Sequence, residues 1–325
     1  MVSKKAALRW LGILLLILVF PMGTWQTGWA QYPIKPINLL LGFSPGGSSD
    51  LTIRAISKPA GDILGQPIMV VNKPGSASAV ALSLLKNEKP DGYTIGNIAI
   101  GGVLNQYFLK VNYDTLKDFT MIMGFGYYVL GVAVLSESPW KTMAELVNYA
   151  KANPGKVKFS STGTGSIQFL VMEALARKEK IKWIHVPFKS GYDAVTALLG
   201  GHVDVAVAPT EWKPYVDSGR MRLLSTYIPH RIPSYPNVPT WLELGYNISV
   251  SAAIGIIGPK GMSPSIVDKL HRAFKQAMDN PEFRRVMNSF DMPIVYMNGE
   301  ALYEEIKGLN DQWGKFILDL GLRQE

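Results

Sequence analysis

Apolar runs alternate with helical patterns in the first part of the chain. Ile37 to Phe43 is apolar on both faces, which is typical of a central strand in a parallel sheet. Two further strand-like runs, residues 67–72 and 93–99, are separated from it and from each other by helical stretches that begin at Leu51 and Ala77. This alternation predicts βαβ units around a parallel sheet.

Two long β-like tracts interrupt this alternation. Residues 119–135 are too long and too rich in glycine for one ordinary strand, so we expect two strands with a crossing between them. A second α/β pattern follows and ends in a strand at 202–209, where Val203, Val205 and Val207 alternate with Asp204 and Ala206. The tract 248–259 is predicted to be the return crossing.

Helices close the chain, and the order of elements predicts two lobes. Ser263-Pro264 and Asn280-Pro281 are helix-start signals, because each pairs an N-cap residue with proline at the first helical position. We therefore predict an α/β protein with a hinge of two crossing strands and a cleft between lobes. The first lobe is predicted at residues 31–128 and 248–325, and the second at 129–247.

Residues 1–30 have the pattern of a secretory signal peptide. Three basic residues precede the apolar run Leu11–Phe20, and the segment ends on the small residue Ala30. The alternative is an uncleaved anchor helix, but this run is shorter than the ~20 residues that a membrane span needs. We expect cleavage before Gln31 and a periplasmic location.

Charge and cysteine content narrow the function classes. The formal net charge is +8 and there is no cysteine, so attachment of lipid to an N-terminal cysteine is excluded. Nucleic-acid binding favours a clustered basic face, and the chain has no long Lys/Arg run. We expect a monomer without a nucleic-acid partner.

Two loops at predicted strand ends share one chemistry. Residues 44–50 and 161–166 combine glycines with hydroxyl side chains, and a helix begins directly after each. Unpaired N–H groups and the helix dipole make such a terminus a site for an anion, although these residues can also simply cap helices. Lys189 to Asp193 and Pro209 to Glu211 follow two later strands. The predicted ligand-binding residues are Phe43, Ser44, Gly46, Gly47, Ser48, Asp50, Ser161, Thr162, Gly163, Thr164, Gly165, Ser166, Ser190 and Asp193.

Signals for catalysis or metal binding are weak. The four histidines share no metal-ligand spacing, and neither a nucleophile elbow nor a Walker A motif occurs. We expect no metal, no cofactor and no enzymatic activity. Asp50 either complements the start of its helix or faces the cleft, and His185 is expected to be a structural residue on a strand.

Several stretches together resemble the Bug-type extracytoplasmic solute receptors, the substrate-binding components of tripartite tricarboxylate transporters. These stretches are "YPIKPINLLLGFSPGGSSDLTIR", "LGQPIMVVNKPG", "KPDGYTIG", "STGTGS", "HVPFKSGYDAVTALLGGHVDV" and "YPNVPTWLELGYN". The resemblance implies the type II periplasmic-binding-protein fold. It also implies a small carboxylate held by backbone groups and waters from Ser44–Asp50 and Ser161–Ser166, and delivery to membrane subunits.

The chain departs from this family at two places. Gly75-Ser76-Ala77-Ser78 stands where the family usually has Gly-Ala-Gly-Gly, and Pro59-Ala60-Gly61 interrupts the first helix, so we expect that helix to be kinked or shortened. Two other functions remain open. One is a sensor that presents its closed form to a receptor kinase, and the other is a hydrolase that uses Ser161 or Ser166 with a base within reach.

Overall fold

The structure is a computed structural model that describes residues 32–319 and residue 321. The predicted signal peptide lies outside these residues. A compact unit begins at Pro33 and is built on two sheets. Its strands are β1 (Ile37–Leu41), β2 (Ile68–Asn72), β3 (Thr94–Ile98), β4 (Phe119–Tyr127), β5 (Leu130–Leu135), β6 (Lys158–Ser161), β7 (Ile184–Pro187), β8 (Val205–Pro209), β9 (Met221–Thr226), β10 (Ala253–Pro259) and β11 (Ile294–Asn298).

The helices lie between and after these strands. Short 3₁₀ turns at Ser76–Ser78 and Thr210–Trp212 precede the second and seventh helices. The helices are α1 (Ser48–Leu64), α2 (Ala79–Leu85), α3 (Ile100–Phe108), α4 (Met143–Ala152), α5 (Ile167–Glu179), α6 (Gly191–Leu199), α7 (Lys213–Asp217), α8 (Pro264–Ala277), α9 (Pro281–Ser289) and α10 (Gly299–Asp319).

The two sheets repeat one topology. The six-stranded sheet has the order β11-β4-β10-β3-β1-β2, and the five-stranded sheet has the order β7-β6-β8-β5-β9. In each sheet three strands are parallel, and the strand that enters from the crossing lies antiparallel beside them. This is the predicted α/β architecture of the type II periplasmic-binding-protein fold.

The chain passes between the sheets twice, as the long β tracts predicted. The first passage joins β4 to β5 within a few residues, and the second joins β9 to β10. The two passages touch, because the backbone N–H of Tyr128 donates to the carbonyl of Ala252 at 2.9 Å. We call residues 33–127 and 253–319 the first half of the molecule, and residues 130–250 the second half. The predicted lobe boundaries at 128 and 247 stay a prediction.

Helix α1 is not shortened by Pro59. It runs for 17 residues to Leu64, and Gly65, whose φ is +73°, caps its C-terminal end. Its buried face, which includes Ile53 and Ile56, packs in the core and outweighs the local preference of proline. Gly61 has a packing role, since a Cβ there would lie 3.0 Å from the carbonyl oxygen of Gln66 as the chain turns back.

The sequence patterns missed some elements. Helices α3 and α7 and strands β9 and β11 were not predicted. The strand predicted at 202–209 is present as β8, which is buried along its whole length. It is the central strand of its sheet, between β6 and β5. Of the predicted return crossing, Ala253–Pro259 is a strand.

Candidate functional site

Helix α1 begins at the cleft between the halves. Its N-cap residue is Gly47, which has no side chain to cap the helix. The carboxyl oxygen Oε1 of Glu211, from the second half, accepts hydrogen bonds from the backbone N–H of Ser48 at 2.9 Å and from its hydroxyl at 2.6 Å. A carboxyl group of the protein itself thus occupies the start of this helix, where an anion is favoured.

Glu211 is almost completely buried between the halves. Glu211 is 6% exposed. Its second carboxyl oxygen, Oε2, has no hydrogen-bond partner among the described residues. A Cβ on Gly191 would lie 2.4 Å from Oε2, so a side chain there would displace this carboxyl group. Burial raises the pKa of Glu211, and the hydrogen bonds from Ser48 oppose that rise. Sequence reasoning placed Glu211 at a strand end but did not select it as a site residue.

Asp50 stabilises the loop 44–50 through hydrogen bonds within the first half. Its carboxylate accepts hydrogen bonds from the N–H of Gly46 (3.0 Å), from Nε of Arg54 (3.0 Å) and from Nδ2 of Asn72 (2.8 Å). Burial by itself would raise the pKa of Asp50, but the hydrogen bonds from Arg54, Asn72 and Gly46 lower it overall. These contacts agree with the alternative in which Asp50 organises the helix start.

The second predicted loop joins β6 to α5, and its hydroxyls have partners within the loop. Ser166 caps α5 by accepting from the N–H of Phe169 at 3.2 Å, and its hydroxyl donates to Ser161 at 3.3 Å. The hydroxyl of Thr162 donates to Oε1 of Gln168 at 3.1 Å. These bonds fix the loop, so its backbone, more than its hydroxyls, is presented to the first half.

Gly163 and Gly165 bring the second loop against the first half. Gly165 has φ +86°, and a Cβ there would lie 2.3 Å from Oδ1 of Asn105. Gly163 has φ +125°, and a Cβ there would lie 3.2 Å from the backbone nitrogen of Ala77. The neighbouring stretch of the first half, residues 76–78, departs from the family sequence and has positive φ at all three residues. The unusual segment therefore forms one wall of the cleft.

The cleft is almost closed. Its free volume is about 30 Å³, room for one or two water molecules and far below the ~300 Å³ of a small ligand pocket. Residues of both halves line it, none of them Lys or Arg. They include Phe43, Ser49, Tyr128, Thr162, Gln168 and Gly191.

Not all predicted residues face this cleft. Phe43 and Thr162 line it, while Gly47, Ser48, Gly163 and Gly165 lie against the opposite half. Ser190 and Asp193 form a capping pair at the start of α6, in which the hydroxyl of Ser190 donates to Asp193 at 2.9 Å. Ser44 and Thr164 are half-buried, and Gly46 is exposed. The described residues contain no group of three or more His, Asp or Glu placed to hold a metal ion.

His185 is the base that sequence reasoning did not find. Its Nε2 lies 2.7 Å from Oγ of Ser161, and its ring packs between Phe159 and Phe169 at centroid distances of 4.9 and 4.6 Å. Ser161 is fully buried and also accepts from the N–H of Gly163. This arrangement positions a hydroxyl inside the loop and leaves it no access to a substrate.

His185 should make the folded protein less stable in acid. Desolvation lowers its pKa to about 4, whereas an unfolded histidine titrates near 6.5. As the pH falls from about 6.5 to about 4, His185 binds a proton in the unfolded chain but not in the folded chain. The unfolding free energy therefore decreases by up to about 3 kcal/mol.

Urea unfolding at several pH values measures this effect. The change His185→Gln should remove that part of the pH dependence. An unchanged slope between about pH 6.5 and about pH 4 in this variant would show that other groups carry it.

Comparison with known proteins assigns the family. A family model described as "Tripartite tricarboxylate transporter family receptor" matches residues 52–322. The chain belongs to this family. It is 42% identical over 270 residues to the "UPF0065 protein in gbd 5'region" of Cupriavidus necator, covering 83% of each chain, and 29% identical over 258 residues to "Protein BugT" of Bordetella pertussis, covering 77% of this chain and 78% of the relative.

Solved structures are similar over the same length. A "periplasmic transporter" is 27% identical with a TM-score of 0.85, covering 90% of this receptor and 99% of that chain. The periplasmic binding protein BugD is 25% identical with a TM-score of 0.85, covering 90% of this receptor and all of that chain. Proteins of this family are periplasmic solute receptors and not enzymes, which excludes the hydrolase alternative. In the described part of the receptor, no helix has the length and apolar content to cross a bilayer.

Proposed function

We propose that this receptor captures a small di- or tricarboxylate between its halves and delivers it to the membrane subunits of a tripartite transporter. The observation that supports the proposal most strongly is the occupied start of α1. There a buried carboxyl group already accepts hydrogen bonds from the backbone and hydroxyl of Ser48. A carboxyl group of a solute would find the same donors.

The solute would be held without a basic side chain. Neither the loop 44–50 nor the loop 161–166 contains Lys or Arg, and none lines the cleft. Backbone N–H groups, the α1 dipole and bridging waters would therefore supply the attraction. Ser44 to Ser48 and Thr162 to Gly165 are the segments that we propose contact the solute.

Binding requires the halves to separate first. The present cleft has no room for even a small carboxylate, so the lobes 31–128 with 248–325 and 129–247 would open about the two passages of the chain. The solute enters the open form, and closure then buries it. The closed form would be recognised by the membrane subunits.

Native mass spectrometry of the receptor released from the periplasm tests the proposal. We expect the mass of a monomer whose chain begins at Gln31, with a small carboxylate bound. Calorimetry with L-malate, succinate and citrate follows; malate is included because the related fold of MatC from Rhodopseudomonas palustris was solved with malate bound. Failure to bind any carboxylate, together with a co-purified solute of another class, would contradict the proposal.

A further inference from the structure

The segment after β8 reaches across to the first half. Thr210–Trp212 is a 3₁₀ turn, and Glu211 extends from it to the start of α1. Trp212, the next residue, is completely buried in the core of the second half, and its indole N–H donates to the carbonyl of Ala208 at 3.3 Å. Because this anchor fixes Glu211 to the second half, the bond to Ser48 exists only while the halves are together.

The environment of Oε2 distinguishes Glu211 from a simple helix cap. Its Oε1 makes both bonds to Ser48, but its Oε2 is buried without a partner among the described residues. Gly191 lies beside Oε2, and a Cβ at this position would displace the carboxyl group of Glu211. A buried carboxyl group with one unsatisfied oxygen is unfavourable. Within one rigid half this cost would be permanent. In a contact between the two halves, the carboxyl group regains water when the halves separate, so the cost favours opening.

We propose that Glu211 is an internal carboxyl ligand of the α1 N-terminus. It holds the halves closed when no solute is bound, and it must leave Ser48 before a solute carboxyl group can take its place. This inference rests on the proposed function, since it assumes that the solute uses the donors of Ser48. Glu211 thereby sets the affinity, because each solute must compete with a group already in the site.

The charged groups around Glu211 are paired with other partners. On α1, Asp50 binds Arg54, and on α6, Asp193 binds Ser190. On its own segment Lys213 forms an ion pair with Asp291 of the first half at 3.0 Å. Tyr128 also lies near Glu211, and burial raises the pKa of the Tyr128 hydroxyl, which therefore stays protonated. Glu211 therefore lacks a compensating cation among the described residues.

Closure should consequently depend on pH. Burial raises the pKa of Glu211, so the closed form binds a proton more readily than an open form in which the carboxyl group is solvated. Stability of the closed form is greatest at low pH and decreases as the pH rises above the ordinary value for glutamate. The closed fraction without solute should therefore fall as the pH rises above the ordinary range for glutamate.

The experiment measures the distance between the halves in solute-free receptor. The chain has no cysteine, so cysteines at Lys89 and Lys182, exposed on opposite halves, can carry spin labels for pulsed electron-paramagnetic-resonance measurements. The labelled receptor should give a short distance near pH 5 that lengthens toward pH 8. Glu211→Gln should keep the short distance and lose this pH dependence. Glu211→Ala should give long, broad distances at every pH.

Calorimetry with L-malate, succinate and citrate supplies the second measurement. If most of the solute-free receptor is closed by Glu211, then Glu211→Ala should bind its best solute about tenfold more tightly, because the competing group is gone. Glu137→Ala, an exposed glutamate of the same half, is the matched control and should change neither measurement.

Three results would overturn the inference. They are unchanged distances in Glu211→Ala, weaker solute binding in that variant, or a pH dependence that persists in Glu211→Gln. Receptor that binds no carboxylate and carries a co-purified solute of another class contradicts the proposed function instead, and the distances still decide whether Glu211 holds the halves closed.

Discussion

Gly47→Val should lower the affinity for the carboxylate solute about 10- to 100-fold while changing the melting temperature by no more than a few degrees. Gly47 has φ −77°, which valine adopts without strain. A Cβ there would lie 3.5 Å from Oε1 of Glu211 and 3.9 Å from the Cβ atoms of Ser190 and Tyr192, all in the second half. The additional methyl groups of valine would collide with that half only on closure, at about 1–3 kcal/mol.

Isothermal titration calorimetry and thermal unfolding, made on the same preparations, check this expectation. Gly47→Ala is the graded control, because its Cβ would make ordinary van der Waals contacts. Its affinity should fall by a small factor. Equal and small losses for alanine and valine would mean that the halves do not close tightly over the start of α1 when solute is bound.

Gly163→Val should reduce both solute affinity and stability. Its φ of +125° belongs to a region that is essentially restricted to glycine, so any side chain should cost about 1–3 kcal/mol of unfolding free energy. The Cβ would also lie 3.2 Å from the backbone nitrogen of Ala77, and the valine methyl groups would extend the contact. Because Ala77 belongs to the first half, closure should be impeded and affinity should fall about 10- to 100-fold.

A matched substitution separates the two effects. Gly201 lies in the same half, has φ +69°, is exposed and has no atom within 4 Å of an added Cβ. Gly201→Val should therefore lower the unfolding free energy measured in urea without changing solute affinity. If Gly163→Val binds solute as the unsubstituted receptor does, the second loop lies outside the binding site.

The stretch 76–78 connects the departure from the family sequence with the cleft. Ser76, Ala77 and Ser78 all adopt positive φ, a conformation that glycine adopts without strain. The Gly-Ala-Gly-Gly run of the family that the sequence resembles has glycine at three of the four positions from 75 to 78, whereas this receptor keeps only Gly75, so strained backbone stands where that run has flexible backbone. Asn105 holds the stretch by donating to the carbonyls of Ser76 and Ala77 at 2.5 and 3.3 Å. We infer that this wall of the cleft is more rigid than in the usual family sequence.

The sequence alone determined the architecture because hydrophobic periodicity is local. The apolar run from Ile37, the two crossing tracts and the capping signals at Ser263 and Asn280 specify strands, passages and helix starts through nearby residues. The two glycine loops were found for the same reason, since each directly follows a strand and precedes a helix.

The tertiary structure decided which groups meet across the cleft. Glu211 and Ser48 are 163 residues apart, and His185 and Ser161 lie on neighbouring strands. No local pattern indicates either pair, because their contact depends on how two sheets and two halves are brought together. For the same reason α1 continued through Pro59. There, packing against distant residues outweighed the preference of the local sequence.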